Sequence, residues 1–155
     1  MKKTVLIGLA ILMVSSFSLS AMAIGGAYST QLLNNGAGNG ALTFKLDKWD
    51  PVFGLSFGGN SDYFRLGFSA DWWMYHKPLA GIVSIYLGPG LYVNLGLGET
   101  SNVDVGARIP IGFQIFPIDP LELFIEIAPS IGLDLNPVAF PVWGLQGAIG
   151  FRFWF

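Results

Sequence analysis

Apolar side chains alternate with polar or small ones, residue by residue, along most of this chain. A period of two separates the faces of a β-strand, whereas a helix would scatter both sets around its circumference. The C-terminal stretch is the clearest case. Leu145, Gly147, Ile149, Phe151, Phe153 and Phe155 share one face, and Gln146, Ala148, Gly150, Arg152 and Trp154 share the other. Between Leu121 and Ile131 the odd positions are apolar, while Glu122 and Glu126 stand at even ones. Between Val103 and Ile115 the odd face runs from Val103 to Ile115, and the even face carries Asp104, Arg108 and Gln114. Between Gly81 and Gly98 the even face includes Ser84, Tyr86, Tyr92 and Asn94. Between Tyr63 and Tyr75 the parity reverses: Phe64, Leu66, Phe68, Ala70 and Trp72 oppose Arg65, Gly67, Ser69 and Asp71.

Three weaker segments precede these, at 52–58, 41–48 and 25–33, bringing the expected strands to eight. Two kinds of connection alternate between them. Asn/Gly-rich loops fall at 34–40, 59–62, 98–102 and 132–143. Proline-bearing turns fall at 48–51, 75–78 and 116–120. Gly, Asn, Asp and Pro favour turns for distinct backbone reasons. Alternating connections predict an up-and-down antiparallel meander with two unlike ends and both termini at the same end. Pro89, Pro110 and Pro129 fall inside expected strands, where proline cannot donate to the ladder, so bulges or bends are expected there.

Composition decides which side of the sheet faces what. The chain is 52% hydrophobic and only 12% charged, against about 25% charged in an ordinary soluble domain. With 15% aromatics, disorder is excluded. Apart from a short N-terminal one, no apolar run reaches the ~20 residues of a membrane-spanning helix. The apolar face is almost free of charge, which suits strands that meet lipid. In a bilayer every backbone polar group must be satisfied internally, so such a sheet has to close. The expected fold is therefore all-β: an eight-stranded antiparallel up-and-down transmembrane β-barrel. Eight strands enclose an interior just wide enough for side chains to fill.

The N-terminus reads as an address. Met1-Lys2-Lys3 is a basic start, Thr4 to Val14 an apolar run, and Ala21-Met22-Ala23 an A-x-A cleavage site. Residues 1–23 are expected to be a cleavable signal peptide and residues 24–155 the barrel. Without Lys2 and Lys3 the remaining chain carries six basic and ten acidic residues. It has no basic patch suited to nucleic acid. There is no cysteine, hence no disulfide, thiol chemistry or lipid-modified cysteine.

The charges gather on the inward face: Lys45, Asp47, Arg65, Asp71, Asp104, Arg108, Glu122, Glu126 and Arg152. Unpaired charge there would be costly, so a layered salt-bridge network centred on Arg65, Arg108 and Arg152 is expected. Trp49, Trp72, Tyr75 and Phe116 map to strand ends on the proline-turn side, as an aromatic girdle at one membrane interface would. No catalytic, cofactor or metal site emerges. His76 is the lone histidine, in an expected turn. Glu122 and Glu126 would stand ~13 Å apart on a strand, too far for a catalytic pair. Gly88-Pro89-Gly90 is not followed by a helix and is no phosphate loop.

The final Gly147-Ala148-Ile149-Gly150-Phe151-Arg152-Phe153-Trp154-Phe155 resembles the closing strand of bacterial outer-membrane barrels. With the signal peptide and strand count, residues 24–155 resemble the small eight-stranded outer-membrane proteins of the OmpX, OmpA transmembrane-domain and OmpW type. The resemblance implies residence in the bacterial outer membrane, with lipid as partner. It also implies recognition of Phe151, Phe153 and Phe155 by the barrel assembly machinery. The short loops depart from the long projections of OmpX-type proteins. Three functions stay open: a structural barrel or narrow small-solute conduit, ligand binding through loops 34–40 and 132–143, and a soluble lipocalin-like periplasmic carrier. The carrier requires the opposite facing of charges.

Overall fold

A computed structural model describes residues 22–33, 38–46, 49–59, 62–98 and 101–155. Asp47 and residues 1–21 lie outside the described residues. Eleven strands follow in chain order: β1 (Met22–Gln31), β2 (Asn39–Leu46), β3 (Pro51–Gly59), β4 (Phe64–Trp72), β5 (Tyr75–Ala80), β6 (Val83–Leu87), β7 (Gly90–Leu97), β8 (Asn102–Arg108), β9 (Ile111–Ile118), β10 (Leu121–Leu135) and β11 (Val138–Trp154). They form eight antiparallel staves, because β4–β5, β6–β7 and β8–β9 are each one strand interrupted by a short break. The ring closes where β11 pairs with β1, Ala23 against Trp154 and Gln31 against Gln146.

Following hydrogen-bonded partners from Ala23 leads through Lys45, Val52, Asp71, Gly90, Arg108 and Ser130 to Gly144. Gly144 is two positions from Gln146, the partner of Gln31, so the path returns to the first stave ten residues above its start. Such a stagger tilts the strands by roughly 40° from the barrel axis.

The alternation sets the facing. Along β10, Glu122, Phe124, Glu126, Ala128 and Ser130 are buried in the lumen. Their neighbours Leu123, Ile125 and Ile127 are exposed, Ile125 by 54%. The outer wall is largely apolar, with Leu42, Leu55, Phe68, Leu91, Val93, Phe113, Ile149, Phe151 and Phe153 exposed.

Three prolines lie in one diagonal row across neighbouring staves. Their carbonyls accept from the stave before: Trp72 N to Pro89 O at 2.9 Å, Gly88 N to Pro110 O at 3.4 Å, and Ile109 N to Pro129 O at 2.9 Å. Pro89 and Pro110 stand in the breaks, where a donor is dispensable. Inward parity runs through without a slip, since Tyr86, Gly88, Gly90 and Tyr92 are all buried.

Parity does slip on the fourth stave. Asp71 pairs with Gly90 and Tyr75 with Leu87, so four steps on one strand face three on the other. This bulge turns Trp72 and Tyr75 both outward and Trp73 inward. The bulged backbone presses on Gly88, where an added Cβ would lie 1.7 Å from the Trp72 carbonyl oxygen. Only glycine permits that approach.

Three expected connections are corrected. Residues 75–78 are strand β5, and the chain turns at Gly81, whose φ is +54°. A proline on an outermost strand does not end it, because a missing donor costs nothing there. The 116–120 turn shrinks to Asp119-Pro120. The expected loop 132–143 is a hairpin: β10 and β11 continue to Leu135 and Val138, around Asn136-Pro137.

Candidate functional site

The lumen fills because the staves differ in size of inward side chain. Staves one to four supply Ala27, Ser29, Ala41, Thr43, Gly54, Ser56, Gly67 and Ser69; the others supply Tyr86, Tyr92, Arg108, Phe124, Glu126 and Arg152. Large groups from one side reach across the axis to the small wall opposite. What remains is a cavity of about 100 Å³ along the small wall.

Two charged layers cross the lumen. In the upper one Arg108 forks onto both carboxylate oxygens of Asp71 and also donates to Glu126 at 3.2 Å and to Gln146 Oε1 at 2.7 Å. The Tyr86 hydroxyl donates to the other Glu126 oxygen at 2.8 Å. In the lower layer Arg152 donates to Glu122 at 2.5 Å and to Thr43 Oγ1 at 3.0 Å. Its guanidinium lies 4.0 Å from the Phe124 ring centre and 5.2 Å from that of Trp73. The Trp154 indole N–H donates to the second Glu122 oxygen at 2.7 Å. Glu122 is 0% and Arg152 2% exposed. Buried charge persists only when paired and hydrogen-bonded, and both layers meet that condition.

Arg65 stands apart from these ion pairs, 5.6 Å from the Tyr63 ring centre. Near it Asp104 accepts from the Tyr92 hydroxyl at 3.2 Å and from Asn94 Nδ2 at 3.1 Å. Among the described residues, then, Arg65 is not a third centre of ion pairing. It belongs to a polar cup of about 320 Å³ at the loop end, with Gln31, Asn102, Asp104, Asp134 and Trp143. No local pattern in the sequence points to this cup, because its members come from loop-proximal strand ends whose pairing only the closed ring reveals. Lys45 points to the opposite end. Its ammonium donates to the Trp49 carbonyl at 3.1 Å and lies 5.9 Å from the Trp73 ring centre.

That end carries an aromatic plug. Trp73 stacks on Tyr86 at 4.2 Å, and His76 sits 5.6 Å from the Trp73 ring. The Gln114 amide nitrogen donates to His76 Nε2 at 2.7 Å. Trp49, Trp72 and Tyr75 are exposed around the rim. Phe116 corrects the expected girdle: it shares inward parity with Gly112 and Gln114 and lies 6.4 Å from Trp154 inside the mouth. On the closing strand, Phe151 and Phe153 face outward as a T-shaped pair at 5.9 Å, and Phe155 follows them, exposed.

The architecture is that of the small eight-stranded outer-membrane β-barrels. No family model matches the chain, and no curated protein does. Among solved structures it is similar to Ail, the attachment invasion locus protein of Yersinia pestis. The identity is 15%, covering 87% of this chain and 97% of that one, with a TM-score of 0.56. Neisserial surface protein A (NspA) is 16% identical over 86% of this chain and 95% of that one, at a TM-score of 0.47. At these identities the likeness to Ail concerns the fold.

Proposed function

We propose that this chain is an integral protein of the bacterial outer membrane. In this reading it is exported by its signal peptide and assembled through Phe151, Phe153 and Phe155. It serves as a structural barrel whose lumen is sealed against all but the smallest solutes, without a catalytic role. The observation that supports the seal most directly is the pair of crossed layers around Arg108 and Arg152, each made of buried, hydrogen-bonded charge. The outward apolar wall supports membrane residence and argues against a soluble lipocalin-like carrier. Planar-bilayer recording tests the seal: the purified barrel should give no current above background, and a steady conductance would overturn it. Extraction tests residence: the protein should leave the membrane fraction only in detergent and migrate differently before and after boiling. Recovery in a salt wash would refute it.

A second reading, ligand binding at the surface, draws on the β10–β11 hairpin. Val138, Phe140 and Trp143 are exposed on it, Val138 by 77%. If that hairpin binds a surface ligand, shortening it should abolish binding and leave folding intact.

A further inference from the structure

The outer wall is very uneven in height. β1, β2 and β3 have 10, 8 and 9 residues, whereas β10 and β11 have 15 and 17. At a tilt near 40° each residue climbs roughly 2.5 Å along the axis, so β2 spans about 20 Å and β10 about 37 Å. The apolar bands differ even more. On β3 the outward apolar run is Phe53, Leu55 and Phe57. On β10 it runs through every odd position from Leu121 to Leu135, about 35 Å at that rise. The tall side also continues past the short side at the terminal end, where Leu79, Ile82 and Ile118 are exposed. The excess stands at both ends, so tilting the whole barrel cannot level it. A flat outer-membrane core of about 25 Å would wet the top of the short wall with lipid and leave apolar surface of the tall wall in water.

We infer that the partner of this surface is a bilayer deformed around it: thinned against β1–β3 and thickened against β8–β10. The inference rests on the membrane reading above. The short wall is also the one lined inside by small residues and the cavity. It is therefore the less supported wall on both sides. Lipid is the occupant the surface fits, because the excess on the tall side is continuous with the lipid-facing belt and is aliphatic along β10, with Lys77 on β5 the charge at its terminal edge, over the Tyr75 ring.

The absence of cysteine allows single labels to test this. Phe57, on the short wall, leads through Leu66, Leu95 and Val103 to the level of Leu135. Partners climb roughly 3 Å per stave, so Ile131, four residues lower, stands at about the height of Phe57. Spin labels at Phe57→Cys and Ile131→Cys are compared in dimyristoyl phosphatidylcholine vesicles by their access to oxygen and to a water-soluble nickel chelate. The expected result is an oxygen-to-nickel ratio several-fold higher at 131 than at 57. Equal ratios overturn the deformation. Exclusion of both reagents at 131, with spin–spin broadening, overturns it in favour of a second copy against the tall wall. Labels at Leu55→Cys and Ile127→Cys, mid-belt on each side, should both be nickel-shielded. If both are nickel-accessible, the membrane reading itself fails. If Phe57→Cys does not fold, Gly40→Cys against Pro129→Cys poses the same comparison.

Discussion

Replacing Arg152 by methionine keeps much of the side chain's length and removes its charge. The change strands Glu122, which is wholly buried and, among the described residues, keeps the Trp154 indole as its donor. Removing one partner of a buried ion pair costs about 3–5 kcal/mol, since the other charge is left uncompensated. Arg152 also faces Phe124 at 4.0 Å, and a desolvated cation–π contact adds up to about 2 kcal/mol. A loss of about 3–7 kcal/mol is therefore expected from R152M, set by these two principles together. Replacing both partners, as in E122L/R152M, should recover a large part of it, because an apolar pair of similar volume needs no compensation. The assay is reversible urea unfolding in lipid vesicles, with folded fraction read from gel mobility without boiling. If R152M lies within about 1 kcal/mol of wild type and the double-mutant cycle is additive within about 0.5 kcal/mol, the lower layer holds nothing together.

Three further outcomes follow from the same geometry. Ile127→Arg places a cation on the lipid face beside the buried Glu126 and should cost about 2–4 kcal/mol in the same titration. Ile127→Leu should stay near wild type. Gly88→Ala should collapse the folded yield, because its Cβ would overlap the Trp72 carbonyl. Gly81→Asn, at φ +54° with open space around it, should fold normally. Deleting Phe155 should slow assembly in cells while leaving refolding into vesicles unchanged, as expected of a recognition signal; equal losses in both would refute that role.

The facing of nearly every strand residue was legible because period-two alternation is a local property, and Glu122, Phe124 and Glu126 obey it as read. Strand ends were less so. His76, Lys77 and Pro78 look like a turn by composition, but their neighbour is the equally extended β6, a fact visible only in three dimensions. The bulge at Trp72–Tyr75 also escapes the pattern, since one inserted residue leaves each flank regular. Tyr75 faces outward only because of that slip. Residue type suggests the rim for Phe116, but its parity with Gly112 and Gln114 points inward. Arg108 and Arg152 could be assigned to the lumen from parity, but their partners could not. Thr43 and Arg152 are separated by 109 positions and meet only because the ring closes.

That meeting across the axis has a consequence for how such a chain can drift over generations. A bulkier residue at Ala41 or Gly54 would be answered not by its neighbours along the sheet but by trimming on the facing staves. Tolerated changes should thus arise as couples drawn from the first and the second half of the chain, and surveys of single replacements would overstate how rigidly the lumen is specified.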